Sequence, residues 1–296
     1  MRAFKILERI TKHPLNQQNK TQAVGRFLRW QLASRLIPGE LVIRWINDSR
    51  LIVRSGDAGL TGNIYCGLHE FQDMGFLLHA LRKKDLFVDI GANLGSYTVL
   101  AGAVVGARVI PIEPIPQTFV RLCDNIRINN LSENVTAFNV ALGKEKGKLR
   151  FSKNLDTVNH VLINEADDIE FIEVPVRTLD SILEGTVPWL IKIDVEGFES
   201  PVLSGAHGVL ESEDLCAVIL ELNGSGKRYG YVDSDIVKLM ADYKFCPYEY
   251  DPFKRTLSEI PNKTEFRGNA LFIKNIRLAR SRVEQADPVN VFGRVL

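Results

Sequence analysis

From residue 86 onward, short runs of strand-forming apolar residues alternate with segments whose apolar positions recur every three or four residues. The runs are 86–90 (LFVDI), 108–112 (RVIPI), 135–140 (VTAFNV), 190–193 (LIKI) and 217–220 (AVIL). The shortest and most apolar of them read as parallel strands buried on both faces. Between them, residues 96–105 form a small-residue helix, Phe119, Leu122, Cys123 and Ile126 share one helical face, and 199–210 is a further helix. Such alternation predicts a parallel sheet covered by helices on both faces. Residues 245–250 and 269–274 are two last strands joined without a helical pattern, so they pair antiparallel at one edge. Residues 148–152 pair back locally, 169–176 is extended, and Thr178 caps a short helix.

Upstream, residues 21–36 place Val24, Phe27, Leu28, Leu32 and Leu36 on one stripe, with Lys20, Arg26, Arg29 and Arg35 outside it. That pattern is an amphipathic helix, expected to dock on the main domain. Residues 41–46 and 51–54 form a hairpin around Asn47, Asp48 and Ser49. A loop with Gly56, Gly59, Gly62 and Gly67 follows, then a helix bearing Phe71, Met74, Leu78 and Leu81. The expected organisation is an extension or cap over 1–82, a main domain over 83–276 and a basic peripheral tail over 277–296.

Composition adds little until charge is mapped. Hydrophobic residues make up 45% and charged residues 25% of 296, as in ordinary globular proteins with a sizeable core. Net charge is +1, yet residues 1–50 carry ten Lys or Arg against three acids. That run is a solvated face or a contact with an anionic lipid, a nucleotide-sugar or a polyanionic partner. Cys66, Cys123, Cys216 and Cys246 lie far apart with no CxxC pair, which predicts buried reduced thiols, no zinc site and a cytoplasmic location.

The chemistry centres on 86–98, LFVDIGANLGSYT. A strand, a glycine turn and a helix start make a cradle in which backbone amides meet a ligand. Asp89 puts a carboxylate beside it, suited to a ligand carrying an amino group. Glu113 ends the next strand, 22 residues beyond Gly91, where an acid holds ribose hydroxyls. A nicotinamide dinucleotide and S-adenosyl-L-methionine both meet these demands. The dinucleotide fingerprint wants glycine at 93 and glycine or alanine at 96, where this chain has Asn93 and Ser96, so S-adenosyl-L-methionine is favoured.

The ordered set FVDIGANLGSYT, IEP at 112–114, RTLDSI at 177–182 and IKIDVEGFE at 191–199 resembles the FkbM family of S-adenosyl-L-methionine-dependent methyltransferases. The resemblance covers roughly residues 65–275. It implies an α/β class I methyltransferase fold, Rossmann-like, with a seven-stranded, mostly parallel sheet and an antiparallel final strand. It implies O-methylation of a hydroxyl on a sugar, glycolipid or natural-product scaffold. Residue by residue, it assigns Asp89, Gly91, Asn93 and Gly95 to the methionine end of the cofactor, Glu113 to the ribose, and Asn139 and Ala141 to the adenine side. Asp194 then faces the methyl group and the acceptor.

An alcohol acceptor must lose its proton to a base or a metal. The candidate catalytic residues are Asp194, which positions the hydroxyl, and His160, in the polar stretch 153–168, which is the candidate base. Asp194, Glu221 and Asn223 offer oxygen ligands, but Leu222 separates the last two, unlike metal-dependent catechol-type enzymes; the expectation is a metal-free site. Nucleic-acid methylation is the second reading, prompted by the basic first 50 residues. It is disfavoured by the lack of an NPPY-like motif and of an aromatic stacking platform. A third is an inactive cofactor-binding interaction protein, against which the intact Asp89, Gly91, Gly95 and Glu113 argue.

Overall fold

The computed structural model describes residues 2–152, 161–162, 170–260 and 266–296. Its centre is a seven-stranded sheet of β1 (Leu86–Ile90), β2 (Arg108–Ile112), β3 (Leu190–Ile193), β4 (Ala217–Leu222), β5 (Cys246–Asp251), β6 (Thr256–Glu259) and β7 (Gly268–Ile273). The spatial order is β6-β5-β7-β4-β3-β1-β2. β2, β1, β3 and β4 run parallel, β7 is antiparallel to β4, and β5 and β6 add antiparallel pairings beyond it. All residues of β1 and β3 are buried, because helices cover both faces.

The seven strands differ in one member from the expected set. Residues 135–140 contribute only the parallel bridges Val109–Val135 and Ile112–Phe138 beside β2, whereas β6 arises inside the expected loop between β5 and β7. A second, three-stranded sheet pairs Gly147–Ser152 antiparallel with Phe171–Arg177, and Ala141–Leu142 adds to its edge. The helix after β1 begins as expected at Ser96, then widens into π-helical turns over Leu100–Val105. Thr178 accepts the Ser181 amide, as its capping role requires.

The first 82 residues form α1 (Arg2–Lys12), α2 (Lys20–Leu36), a hairpin of Leu41–Arg44 with Arg50–Val53, α3 (Ala58–Cys66) and α4 (Phe71–Ala80). Two expectations here are corrected. α2 docks through Ala23, Phe27 and Trp30, leaving Leu28, Leu32 and Leu36 exposed. Positions 23, 27 and 30 align on one side of the helix, and two aromatic rings bury more surface there than the leucine stripe would. The glycine-rich stretch is a helix, not a loop: a Cβ at Gly62 would lie 2.5 Å from the His69 ring, so glycine here permits close packing.

The C-terminal 20 residues are also not peripheral. A helix, Ile276–Glu284, buries Ala279 and Val283, and a terminal hairpin buries Val291 and Leu296 in the same core as α1 to α4. Arg282 pairs with Asp85 and stacks over Trp189, 4.4 Å from the ring centroid. All four cysteines are free thiols, though only Cys66 and Cys216 are buried.

Candidate active site

Two clefts open at the carboxyl ends of the parallel strands, where open α/β sheets bind ligands. One, of about 790 Å³, runs from Glu113, Ile115 and Thr118 to Ala141, Phe151 and Phe198 under the small sheet. The other, of about 740 Å³, is polar and is roofed by Gly59, Leu60, His69 and Glu70 of the N-terminal segment. Gly91, Asn93 and Asp194 line both and so stand where the two meet.

The meeting point exists because Gly91 has no side chain. Its φ is +74°, and a Cβ there would lie 1.8 Å from the Asp194 carbonyl oxygen. The Gly91 and Ala92 amides donate to the Ile112 carbonyl, while Asp194 N donates to Ile90 O. The ends of β2, β1 and β3 are thereby tied together. Gly95 also has positive φ, at the start of the following helix.

Glu113 is 6% exposed and accepts the Asn93 amide at 3.0 Å and the Ile115 amide at 2.9 Å. Burial raises its carboxyl to about 7. A carboxylate offers about four lone-pair sites, so two remain for hydroxyl donors from the cleft. Ala141 lines the apolar cleft. Asn139 does not line it; its amide donates to the carbonyls of Glu113 and Pro114 and braces that turn.

Asp89, 1% exposed, accepts the Thr98 hydroxyl at 2.7 Å on the floor of the polar cleft. Burial raises its pKa, partly offset by Lys192. Lys192 Nζ lies 2.8 Å from Asp194 and 4.8 Å from the Tyr97 ring centroid. Burial by itself would lower this ammonium's pKa, but Asp194, Glu70 and Asp89 outweigh it and hold the group charged. The Tyr97 hydroxyl is buried with no hydrogen-bond partner among the described residues. Asn269 donates to Glu70 and to Asp73, both at 3.0 Å, closing the far side.

Reading the sequence places His69 and Glu70 at the mouth of the site, where both line the polar cleft; it missed Lys192, Asp73, Tyr97 and Asn269. The available signal was Lys192 itself, a lysine inside an apolar strand run, which must find partners when both sheet faces are covered.

Asp194, Glu196 and Glu221 bring carboxylate oxygens within 4.8 Å of one another. Glu196 takes the place expected of Asn223, whose side chain is used by the Ser225 amide. Burial and the charges of Asp194 and Glu196 raise Glu221 to about 9. Glu199 accepts the Val195 and Gly197 amides and holds the loop after β3 in shape. His160 lies outside the described residues, as does most of 153–168.

The sheet and its ligand edge have the α/β, Rossmann-like architecture of the class I methyltransferase fold. The profile of the methyltransferase FkbM domain matches residues 89–249, more than half of the chain. The chain therefore belongs to the FkbM methyltransferase family. It is 28% identical over 175 residues to the hexuronic acid methyltransferase AglP of Haloferax volcanii. That match covers 57% of this chain and 66% of the relative, just under two thirds of the latter's length. Among solved structures, SMU.1697c of Streptococcus mutans in complex with SAH matches at 12% identity and a TM-score of 0.40, over 69% of this chain and 96% of that one. A precorrin-8w decarboxylase of Methanobacterium thermoautotrophicum matches at 14% identity and a TM-score of 0.41, over 71% and 91%. Family membership supports S-adenosyl-L-methionine as the cofactor. Among the described residues, no helix is long and apolar enough to cross a membrane.

If Glu113 holds the ribose, cofactor affinity depends on pH. Hydroxyl donors favour the ionised carboxylate, so binding releases a proton from a group that sits near 7 when free. Affinity for S-adenosylhomocysteine is expected to rise with pH towards about 7, by up to about tenfold per unit, and level off above it. Calorimetry in two buffers of different ionisation enthalpy measures the released proton. Glu113→Ala is expected to remove the pH dependence and weaken binding by about 1.5–3 kcal/mol.

Proposed function

We propose that the protein is an S-adenosyl-L-methionine-dependent O-methyltransferase acting on a hydroxyl of a sugar, with uronic acids as the first candidates. The observation that carries this reading is the pair of clefts meeting at Gly91, Asn93 and Asp194, with the Glu113 carboxylate presented to one of them. The relative named for hexuronic acid methylation supports the choice of acceptor.

When bound, the cofactor supplies a methyl group already activated on a sulfonium. The protein's own work is alignment and proton management. Glu113 and Ala141 fix the adenosine side; Gly91, Asn93, Gly95 and the buried Asp89 shape the methionine side. Asp194 orients the acceptor hydroxyl and takes its proton, while the Lys192 ammonium, 2.8 Å away, holds that carboxylate in place. His160 is the second base candidate. Residues 1–82 act as a cap, since α3 and the residues before α4 roof the polar cleft.

The test is tritiated-methyl transfer to a panel of uronic acids, neutral sugars, glycolipids and RNA, with and without EDTA. Transfer to the hydroxyl of a sugar, insensitive to EDTA, is expected. Transfer to RNA alone would replace this reading with nucleic-acid methylation. Loss in EDTA restored by magnesium would assign the three carboxylates to a metal.

A further inference from the structure

α2 presents to solvent an apolar stripe that its packing leaves over. Leu28, Leu32 and Leu36 follow one another at i, i+4 and i+8 and are 58%, 61% and 70% exposed. Ile37 continues the stripe, and Phe4 of α1, which packs against α2, is exposed as well. Scattered exposed leucines need no explanation, but three in one row of one helix make a face. The helix has no need of this face for folding, because Ala23, Phe27 and Trp30 anchor its other side.

Charge selects the occupant. Residues 2–37 carry eight Lys or Arg and a single acid, Glu8. Arg26 is spent internally on Asn16 and the Tyr65 carbonyl, whereas Lys5, Arg9, Lys12, Lys20, Arg29 and Arg35 are exposed. An apolar stripe flanked by exposed cations, on a helix too polar to span a bilayer, is the pattern of a helix lying in a membrane interface. A second copy of the same face would bring cations against cations. We propose that α1 and α2 dock the protein on an anionic lipid surface, with the leucine stripe among the acyl chains and the basic residues at the headgroups.

The position of α2 suits this. It packs on α3, whose Gly59 and Leu60 roof the polar cleft, so a docked molecule holds that cleft one helix away from the lipid surface. Docking is independent of the methylation reading, since it is measured without turnover.

The experiment is co-sedimentation of the full chain with phosphatidylcholine vesicles, alone and with about 30 mol% phosphatidylglycerol. Binding is expected only to the anionic vesicles and is expected to fade at about 0.5 M salt. Exchanging Arg29 and Arg35 for glutamine is expected to weaken partitioning roughly fivefold per removed charge. The triple exchange Leu28→Ser, Leu32→Ser, Leu36→Ser is expected to cost at least about tenfold. These side chains are exposed, so melting temperature and S-adenosylhomocysteine binding should hold in both variants and report on folding. Absence of binding to anionic vesicles, or equal binding to neutral ones, overturns the proposal. So does a stable dimer in solution that the triple exchange disperses, because a second copy would then be the occupant.

Discussion

Asp194→Asn is expected to slow methyl transfer by about 100- to 10,000-fold, the range for losing a general base. Asparagine keeps the shape of the side chain and still accepts the Lys192 hydrogen bond, now 2.8 Å long, but it cannot take a proton. Burial is the largest cause raising Glu221 and Glu196, and it persists in the variant, so both neighbours still favour their protonated forms more than a free carboxyl does. S-adenosylhomocysteine affinity should change little, because Glu113 and the glycine turn remain. Single-turnover rates on the sugar acceptor, alongside calorimetry, separate the two effects. A rate within a few fold of wild type would remove Asp194 as the base. His160→Ala, measured in parallel, would then have to show the loss.

The parts of this site that were legible from the sequence are those in which chemistry coincides with local pattern. Glu113 could be placed because a strand five residues long ends immediately before it. Gly91 and Asp194 could be placed because each ends a run whose apolar residues need burial on both faces. The polar cleft was not legible in the same way. Tyr97 follows β1, Lys192 lies on β3 and Asn269 on β7, and the sheet order β7-β4-β3-β1 sets these three distant segments side by side. Residues 86 to 98 name the cradle but not what roofs it.

The errors share one physical origin, the competition between faces that local pattern leaves undecided. In α2 the leucine stripe and the Phe27–Trp30 side are both apolar, and packing against α1 and α3 chooses between them. The basic C-terminal segment looked solvated because its charges are obvious. Yet Arg255 donates to the carbonyls of Ala286 and Leu296, and the Arg282 side chain spans Asp85 and Trp189. Long basic side chains bury their stems while their heads find partners, so charge alone is a poor guide to periphery.

Gly91→Ala is expected to be the most damaging single methyl group that can be added to this protein's cofactor cradle. Two costs combine. An L-residue at φ +74° gives up about 1–2 kcal/mol relative to glycine. The added Cβ, 1.8 Å from the Asp194 carbonyl oxygen, meets backbone that is itself hydrogen-bonded to Ile90, so relief requires moving the end of β3. Overpacking of that kind costs a further 1–3 kcal/mol or so. Gly185→Ala isolates the first cost, since Gly185 has φ +84° and nothing within 4 Å of its Cβ position. Urea unfolding of the two variants should therefore differ by the steric cost alone, with Gly91→Ala the less stable. Because the displaced carbonyl belongs to Asp194, Gly91→Ala should also lose S-adenosylhomocysteine binding and turnover, while Gly185→Ala keeps both. Equal stability of the two variants, with cofactor binding intact in each, would show that the β1 and β3 ends are not held together as described.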